Sequence, residues 1–200
     1  MILIAGRSGV GKDHLARELT KEFGLKQVLS YTTRPPRRPD EDTHIFISRD
    51  EVDNYPDKIA PAIVKGEYYF ATKKQMEECD VYIVEPNGVA DLLANFPDVP
   101  FVICYLRADR EERKSRAIAR ASDKEKEAEI FESRDADEDA RFARLEHLID
   151  KLSVPGEPAD RFFAAHPNIQ AVFNKKNDYT PTCLTGLASE LVAVNAGRVV

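Results

Sequence analysis

The sequence predicts an α/β fold, in which a largely parallel sheet is flanked by helices. A short apolar run at residues 2–5 is followed at once by a glycine-rich turn and a helical pattern, which is typical of a buried parallel strand and its crossover. Further short apolar runs alternate with helical or polar stretches. With 42% hydrophobic residues in 200, the chain has the composition of a globular protein that buries a core.

The first helix is predicted from a four-residue repeat. After Asp13, apolar side chains recur at Leu15, Leu19 and Phe23 with charged residues between them, and Gly24 follows. An apolar stripe with this period lies on one helix face, and glycine is a common helix end. The chain therefore opens as strand, loop and helix.

The other strands are predicted at four apolar runs, namely residues 27–31, 81–84, 101–106 and 171–173. About fifty residues between the first and second of these runs differ in character and are proline-rich at 34–39, so we interpret them as an inserted lobe. Residues 110–151 are dense in charge at helical spacing, which predicts exposed helices that project from the core. Residues 184–194 have the pattern of a closing helix.

Composition argues against several classes of protein. A net charge of −6 and a pI near 5.4 are poorly suited to neutralising a nucleic-acid backbone, so we expect no nucleic-acid partner. No apolar run approaches the roughly 18 residues that cross a bilayer, and no secretory signal opens the sequence; we expect no membrane association and a cytoplasmic protein. Three cysteines without a C-x-x-C pair favour neither a disulfide framework nor a zinc site.

A phosphate-binding loop is predicted where the first strand meets the first helix, since residues 6–12 match G-x-x-x-x-G-K. Main-chain N–H groups of such a loop, with the positive end of the helix dipole, surround a polyphosphate, and Lys12 neutralises its β and γ groups. An ordinary glycine turn is the alternative. The candidate ATP-binding residues here are Gly6, Arg7, Ser8, Gly9, Val10, Gly11, Lys12 and Asp13.

Asp13 departs from this motif, because the residue after the lysine is usually a serine or threonine whose hydroxyl binds Mg²⁺. A carboxylate is also a hard oxygen ligand, so Asp13 is a candidate metal ligand with a different geometry. Two other interpretations stay open. The carboxylate repels the nucleotide, or it serves only the start of the helix, where aspartate is favoured.

A second cluster of charge follows the predicted strand at 27–31. Arg34, Arg37 and Arg38 occur within five positions, stiffened by Pro35 and Pro36, and planar guanidinium forks suit a phosphate dianion better than lysines do. A solvated basic loop is the alternative. Residues 30–37 also resemble the Ser-x-T-T-R-x-x-R segment of guanylate kinases, which implies that Ser30, Arg34 and Arg37 hold the phosphate of a nucleoside monophosphate.

The resemblance extends over most of the chain. Gly66 to Tyr69 is similar to the family's G-x-Y-Y segment, which implies that the Tyr69 hydroxyl touches the acceptor phosphate. It also implies that arginines of a mobile lid surround the transferring phosphoryl group as catalytic residues with Lys12, and that a polar residue after the last strand lies near the adenine of ATP. The matching residues are Arg116, Arg120, Arg134 and, for adenine, Asn174.

Three positions depart from the family pattern. His44 replaces a tyrosine that would contact the acceptor phosphate, although a histidine can still donate that hydrogen bond. Ala60 stands where the resemblance places a guanine-reading glutamate, and Glu85 where it places an aspartate. Because discrimination between bases depends on such buried hydrogen bonds, the phosphate half of the site is retained while the base-reading half is altered.

The resemblance implies a P-loop kinase domain that transfers the γ-phosphoryl group of ATP, with Mg²⁺, to GMP, dGMP or a related nucleoside monophosphate. It implies a core at 1–32, 77–115 and 152–200, a monophosphate-binding lobe at 33–76, a helical lid at 116–151, and a monomer or homodimer. Two alternatives stay open. One is a salvage kinase of altered or broad base specificity, as in phages, and the other is a non-catalytic binding module of the same shape.

Overall fold

The computed structural model describes residues 1–119, 121, 123–154, 156–177 and 181–196, without the side chains of 157, 158 and 181–184. In chain order its elements are β1 (Ile2–Ala5), α1 (Lys12–Phe23), β2 (Tyr31–Thr32), β3 (Ile45–Phe46), a 3₁₀ helix (Arg49–Asn54), β4 (Lys58–Val64), β5 (Glu67–Thr72), α2 (Lys73–Glu78), β6 (Val81–Ile83), α3 (Pro86–Asn95), β7 (Phe101–Arg107), α4 (Arg110–Ala119), α5 (Lys124–Leu152), α6 (Glu157–Ala165), β8 (Ile169–Lys176) and α7 (Pro181–Asn195).

The central sheet is wholly parallel, with the strand order β6-β1-β7-β8. Ile2 pairs with Val81 on one side and with Val102 on the other. Strand β1 is fully buried, as expected for a strand covered on both faces. The predicted α/β fold is confirmed, and so are the strands expected at 81–84, 101–106 and 171–173.

Helices cover both faces of this sheet. Leu15 and Leu19 of α1 pack with Leu187 and Leu191 of α7 against one face, while α5 packs against the other. Helix α1 ends at Gly24, whose φ of 68° lies in the left-handed region and whose N–H bonds back to the last turn, as a glycine terminator should. The predicted first helix and closing helix are therefore confirmed.

The inserted stretch forms a second sheet of its own, in the order β3-β2-β5-β4. Strand β2 pairs parallel with β3 and antiparallel with β5. The core strand expected at residues 27–31 is wrong: Gln27 makes a single bridge to Val81, and Tyr31 already belongs to the second sheet. An apolar run reveals a strand but not the sheet that it joins, since that depends on partners distant in sequence.

Helix α5 differs from the exposed helix expected for such a charged segment. Its second half buries Phe142, Leu145 and Ile149 in the core, and even Asp135 and Glu138 are buried. Buried carboxylates need charged or hydrogen-bonding partners, and these are supplied by α4 and the loop after β1. Among the helices of the described residues, none is both long and apolar enough to cross a membrane.

Candidate active site

The loop between β1 and α1 is shaped by glycines at close approaches. Gly9 has a φ of +79°, and a Cβ there would lie 2.6 Å from the carbonyl oxygen of Arg113 in α4. A Cβ on Gly6 would lie 2.6 Å from the carbonyl oxygen of Leu106 in β7. Since both neighbours are backbone atoms, no other residue fits without moving an element. The loop is thus held against β7 and α4, directly before the start of α1.

Lys12 lies across this loop. Its Nζ donates to the carbonyl oxygens of Gly6 at 2.7 Å and Arg7 at 3.3 Å. A carbonyl is a weaker partner for an ammonium than a phosphate oxygen, because only the latter carries full charge. The ammonium is therefore placed where a polyphosphate in the loop would draw it into a stronger bond.

Helix α5 supplies carboxylates to the same loop, which sequence reasoning missed. Arg7 makes a forked ion pair with Glu146, with both N–O distances at 2.8 Å, and a further pair with Asp139. The Arg7 guanidinium holds the pKa of Glu146 below its usual range. Beside it, Ser8 donates its main-chain N–H and its hydroxyl to Glu138. Only the tertiary packing of α5 reveals these contacts, since they span 130 residues or more.

The second anion pocket centres on Arg34. Its Nη1 and Nη2 contact the two oxygens of Glu41 at 3.2 and 2.7 Å, and Glu41 also accepts from the Arg37 N–H at 2.6 Å and the Thr43 hydroxyl at 2.8 Å. Burial alone would raise the pKa of the Glu41 carboxyl, but these donors lower that pKa to about 2. Glu41 is a site residue that the motif comparison missed, although an acid close to an arginine pair in sequence was an available sign.

One donor of Arg34 is left over. Within the described residues its Nε is buried and has no hydrogen-bond partner, while its Cζ lies 5.3 Å from the ring centre of Phe46. A buried donor without an acceptor costs about 1 to 3 kcal/mol. A phosphate oxygen entering this pocket would meet an N–H that the protein itself does not satisfy.

Arginines of the lobe and of α5 converge on this pocket. Arg37 is exposed by surface area, but many protein atoms lie around its guanidinium group. The resulting loss of solvation lowers its pKa most, and the charges of Arg134 and Arg34 lower that pKa further. Arg134 belongs to α5, where its Nη1 lies 3.7 Å from Glu127 of the same helix. The positive charges of Arg34 and Arg134 are thus near enough to Arg37 to disfavour its charged form.

The two anion pockets are neighbours. Asp42 of the lobe lies 3.8 Å from Arg17 of α1. Charges on both sides of His44 affect its pKa. Burial and the nearby Arg34 lower that pKa, while Asp13 in the first turn of α1 acts to raise it. The start of α1 and the arginine pocket therefore lie near each other, and the charges of Asp13 and Arg34 both act on His44.

His44 is held in place by lobe residues. Its Nδ1 lies 3.0 Å from the Oγ of Ser30, and its ring meets Tyr69 edge-on with centres 5.7 Å apart. A lowered pKa keeps the imidazole neutral near pH 7, with one nitrogen able to donate. The structure thus brings His44, Ser30 and Tyr69 together near Arg34.

The region expected to read the base is compact. Ala60 has a left-handed φ of 48°, donates its N–H to Asp91 at 2.8 Å, and is packed against Gly88 of α3. Glu85 caps α3 and accepts from the Nη1 of Arg141 at 2.6 Å. The cavity between Glu85, Arg141 and β4 holds about 20 Å³, so that a base could enter only if the lobe or α5 moved.

Arg116 and Asn174 are the remaining candidate residues that the structure describes. The Nη2 of Arg116 contacts the carbonyl oxygen of Asn177 at 3.3 Å, whereas Arg120 lies outside the described residues. Asn174 bonds Arg107 and Ser153 rather than the loop. Asn177, three residues later, contacts the loop itself, because its buried Nδ2 donates to the Val10 carbonyl at 2.8 Å.

A larger cavity of about 390 Å³ adjoins the phosphate loop between Arg7, Val10, Tyr105 and Lys176. Its lining has charges of both signs, since Arg107 and Arg113 also line it together with Asp109 and Glu146. Its position beside the loop and its size, which falls within the usual range for small ligands, suit a nucleotide-sized group more than the base region does.

Mg²⁺ is compatible with the residues present. The described part of the chain holds no group of three or more His, Cys, Asp or Glu that could bind a metal, but Mg²⁺ commonly takes one or two carboxylates with the rest of its ligands from phosphate and water. Asp13 is exposed in the first turn of α1 and offers one such carboxylate. Asp13 is therefore the residue that would hold the ion.

Comparisons with known proteins agree with this geometry. A family model described as an AAA domain matches residues 2–141. The chain is similar to a guanylate kinase of Clostridium acetobutylicum, at 31% identity over 140 residues that cover 63% of this chain and 65% of the relative, slightly less than two thirds of its length. A guanylate kinase of Gloeobacter violaceus is 29% identical over 176 residues, or 80% of this chain and 85% of the relative.

The fold also has a counterpart among solved structures. The crystal structure of guanylate kinase from Anaplasma phagocytophilum aligns over 100% of this chain and 86% of its own, with a TM-score of 0.54 and 14% identity. At that identity the likeness concerns the fold alone.

Proposed function

The chain belongs to the AAA domain family and is a guanylate kinase-like P-loop kinase, and on that premise we propose that it is a nucleoside monophosphate kinase. The reaction transfers the γ-phosphoryl group of ATP to GMP, dGMP or a related ribo- or deoxyribonucleoside monophosphate, and gives ADP and the diphosphate.

The observation that carries this proposal is the proximity of the two candidate anion pockets. One is made of loop amides and Lys12, and the other of guanidinium groups with an unsatisfied Arg34 Nε among the described atoms. Phosphoryl transfer asks the protein to hold two phosphates in line and to neutralise the charge between them. The geometry supports that task without requiring a general base.

Each residue then has a role. The loop and Lys12 hold the β and γ phosphates of ATP, while Arg34, Arg37 and Tyr69 hold the acceptor phosphate, with His44 donating from its neutral ring. Arginines of the lid act on the charge that develops during transfer; these are Arg116, Arg120 and Arg134. Mg²⁺ bound at Asp13 would supply further charge neutralisation between the phosphates.

A second candidate is the same reaction with altered base specificity. Ala60 lacks a polar side chain and is occupied by packing against Gly88, and Glu85 is engaged by Arg141. A pocket that reads guanine through buried hydrogen bonds loses discrimination when those partners are replaced. This favours an acceptor range wider than GMP and dGMP.

The deciding experiment is a panel of ribo- and deoxyribonucleoside monophosphates with ATP and Mg²⁺, followed through ADP release. We expect turnover with at least one acceptor and activity beyond the two guanine nucleotides. Activity confined to GMP and dGMP would contradict the altered-specificity candidate. Absence of turnover with every acceptor, with no ATP binding in the presence or absence of Mg²⁺, would contradict the kinase and favour a non-catalytic module.

A further inference from the structure

The phosphate loop already binds an anion from its own chain. Both carboxylate oxygens of Glu138 accept from the main-chain N–H of Ser8, at 3.1 and 3.0 Å, and Oε1 also accepts from the Ser8 hydroxyl at 2.5 Å. The Glu138 side chain is only 5% exposed. A loop whose amides are arranged for phosphate oxygens is therefore contacted by a buried carboxylate, which carries the same sign of charge.

The carboxylate is anchored from behind. Arg113 of α4 lies 3.8 Å from Glu138, donates to the Ser8 carbonyl at 3.2 Å, and binds Asp135 of α5 at 2.6 Å. Since Arg113 keeps Asp135 as its close partner, Glu138 can leave without exposing an unpaired cation. The contact between Glu138 and the loop is thus the separable part of this network.

A phosphoryl group cannot share this place with Glu138. Two anions at one N–H repel each other, and in a site shielded from water that repulsion is screened only weakly. A donor nucleotide that binds the Ser8 N–H has to displace the Glu138 carboxylate. The free energy of the lost contacts between Glu138 and Ser8 is then subtracted from the free energy of nucleotide binding. Donor affinity is then lower than the loop alone would provide.

We propose that Glu138 is an internal anion that occupies the phosphate loop in the nucleotide-free protein and competes with the polyphosphate of the donor. The competing carboxylate belongs to α5. The proposal rests on the proposed function only in that ATP is named as the donor. It makes Glu138 a determinant of donor affinity that no phosphate-loop motif reveals.

The competition also links donor binding to the lid. Glu138 lies one turn after Arg134 on α5, so the two side chains emerge from the same helix face. Displacement of Glu138 by a polyphosphate therefore acts on the helix face that also carries Arg134, whose charge is near Arg37 of the lobe. Release of the internal carboxylate is in this way coupled to the position of an α5 arginine.

The test measures binding rather than turnover, by titration calorimetry with ATP and, separately, with inorganic tripolyphosphate. Glu138→Ala removes the competing carboxylate, and we expect both ligands to bind about tenfold or more tightly, the size that a lost charged hydrogen bond implies. Glu138→Gln keeps the shape without the charge, and we expect a smaller gain of the same sign. Circular dichroism and thermal unfolding establish that each variant is folded.

The matched control is Asp137→Asn, which removes one charge from the neighbouring position. Asp137 is exposed and lies 3.3 Å from Lys65 of the lobe, so we expect wild-type affinity for both polyphosphates. Unchanged or weaker binding in both folded Glu138 variants would overturn the proposal, and so would an equal gain in the control. If the variants bind tripolyphosphate tightly but no protein form turns over any monophosphate, the competition holds and the kinase function fails.

Discussion

Arg34 and Glu41 form a forked ion pair inside the arginine pocket, with N–O distances of 3.2 and 2.7 Å. The Glu41 side chain is 7% exposed and that of Arg34 is 13% exposed. The pair fixes the guanidinium in one plane and partly offsets its charge before an acceptor arrives. Glu41 thus positions the proposed phosphate clamp and also contributes to the stability of the lobe.

The stability of the protein should depend on Glu41 in a pH-dependent way. Its pKa falls from the usual 4.5 to about 2 in the folded chain, so the folded state binds fewer protons than the unfolded state between these values. The contribution is therefore complete above about pH 4.5 and lost as the pH falls towards 2. We expect Glu41→Gln to lower the free energy of unfolding by about 3 kcal/mol at most at pH 7, measured by urea denaturation.

The control for this experiment is Asp42→Asn. Asp42 is 85% exposed and its ion pair with Arg17 is 3.8 Å long, so it should change stability little at any pH. If Glu41→Gln and the wild type differ equally at pH 7 and near pH 2, the ion pair is not the source of the difference.

The two neighbouring arginines of the lobe should behave differently. Arg37 faces Arg34 and Arg134, whereas Arg38 is 67% exposed and lies 3.8 Å from Asp40. We expect Arg37→Ala to cost about 2 to 4 kcal/mol in kcat/KM, the size expected when an electrostatic stabiliser of the transition state is removed. Arg38→Ala should stay within about twofold of wild type, because an exposed pair is worth little.

Steady-state kinetics with saturating ATP and a varied monophosphate compare the two variants. Equal losses for Arg37→Ala and Arg38→Ala would show a general effect of lobe charge. Unchanged turnover in Arg37→Ala would remove this residue from the acceptor site.

The sequence predicted those features that depend on neighbours in the chain. The glycine loop, the four-residue repeat of α1 with its end at Gly24, and four of the five expected core strands all have local patterns, and all are present. The strand expected at 27–31 was wrong because Tyr31 pairs with Phe70 in another sheet, a pairing that depends on residues distant in sequence.

The parts of the site that the sequence did not predict are contacts between remote side chains. Glu138 meets Ser8 across 130 positions, and Asn177 meets Val10 across 167. In a helix as charged as α5, the sequence does not distinguish a glutamate that faces the core from one that faces solvent. The distinction requires the position of the partner, which for Glu138 is the loop at Ser8. Motif matching names the loop and the arginines, but only the tertiary structure shows which carboxylates already occupy them.

Asp13 should be replaceable by the residue that the phosphate-loop motif usually has. Asp13 is exposed, and its charge influences His44. Serine supplies a hydroxyl ligand for Mg²⁺ and removes a negative charge near the phosphates. We expect Asp13→Ser to retain or raise kcat/KM for ATP, with a lower Mg²⁺ concentration at half-maximal rate.

Glu22→Gln, at the far end of α1, controls for the loss of one charge from the helix and should leave the Mg²⁺ dependence unchanged. If Asp13→Ser abolishes turnover while the protein stays folded, Asp13 is a ligand that serine cannot replace, and the carboxylate is part of the working metal site.

Two glycines with similar backbone angles should respond differently to alanine. Gly9 and Gly24 have φ values of +79° and +68°, so a Cβ is strained at both. At Gly24 nothing lies within 4 Å of that Cβ, whereas at Gly9 it would lie 2.6 Å from the Arg113 carbonyl oxygen. We expect Gly24→Ala to cost about 1 kcal/mol in unfolding free energy, and Gly9→Ala about 2 to 4 kcal/mol, because steric overlap with α4 adds to the strain.

Gly9→Ala should also weaken ATP binding in calorimetry, since the loop can accept a methyl group only by moving away from α4 and from the amide geometry that holds phosphate. An equal loss of unfolding free energy in Gly9→Ala and Gly24→Ala would mean that the close approach of α4 to Gly9 does not limit the loop.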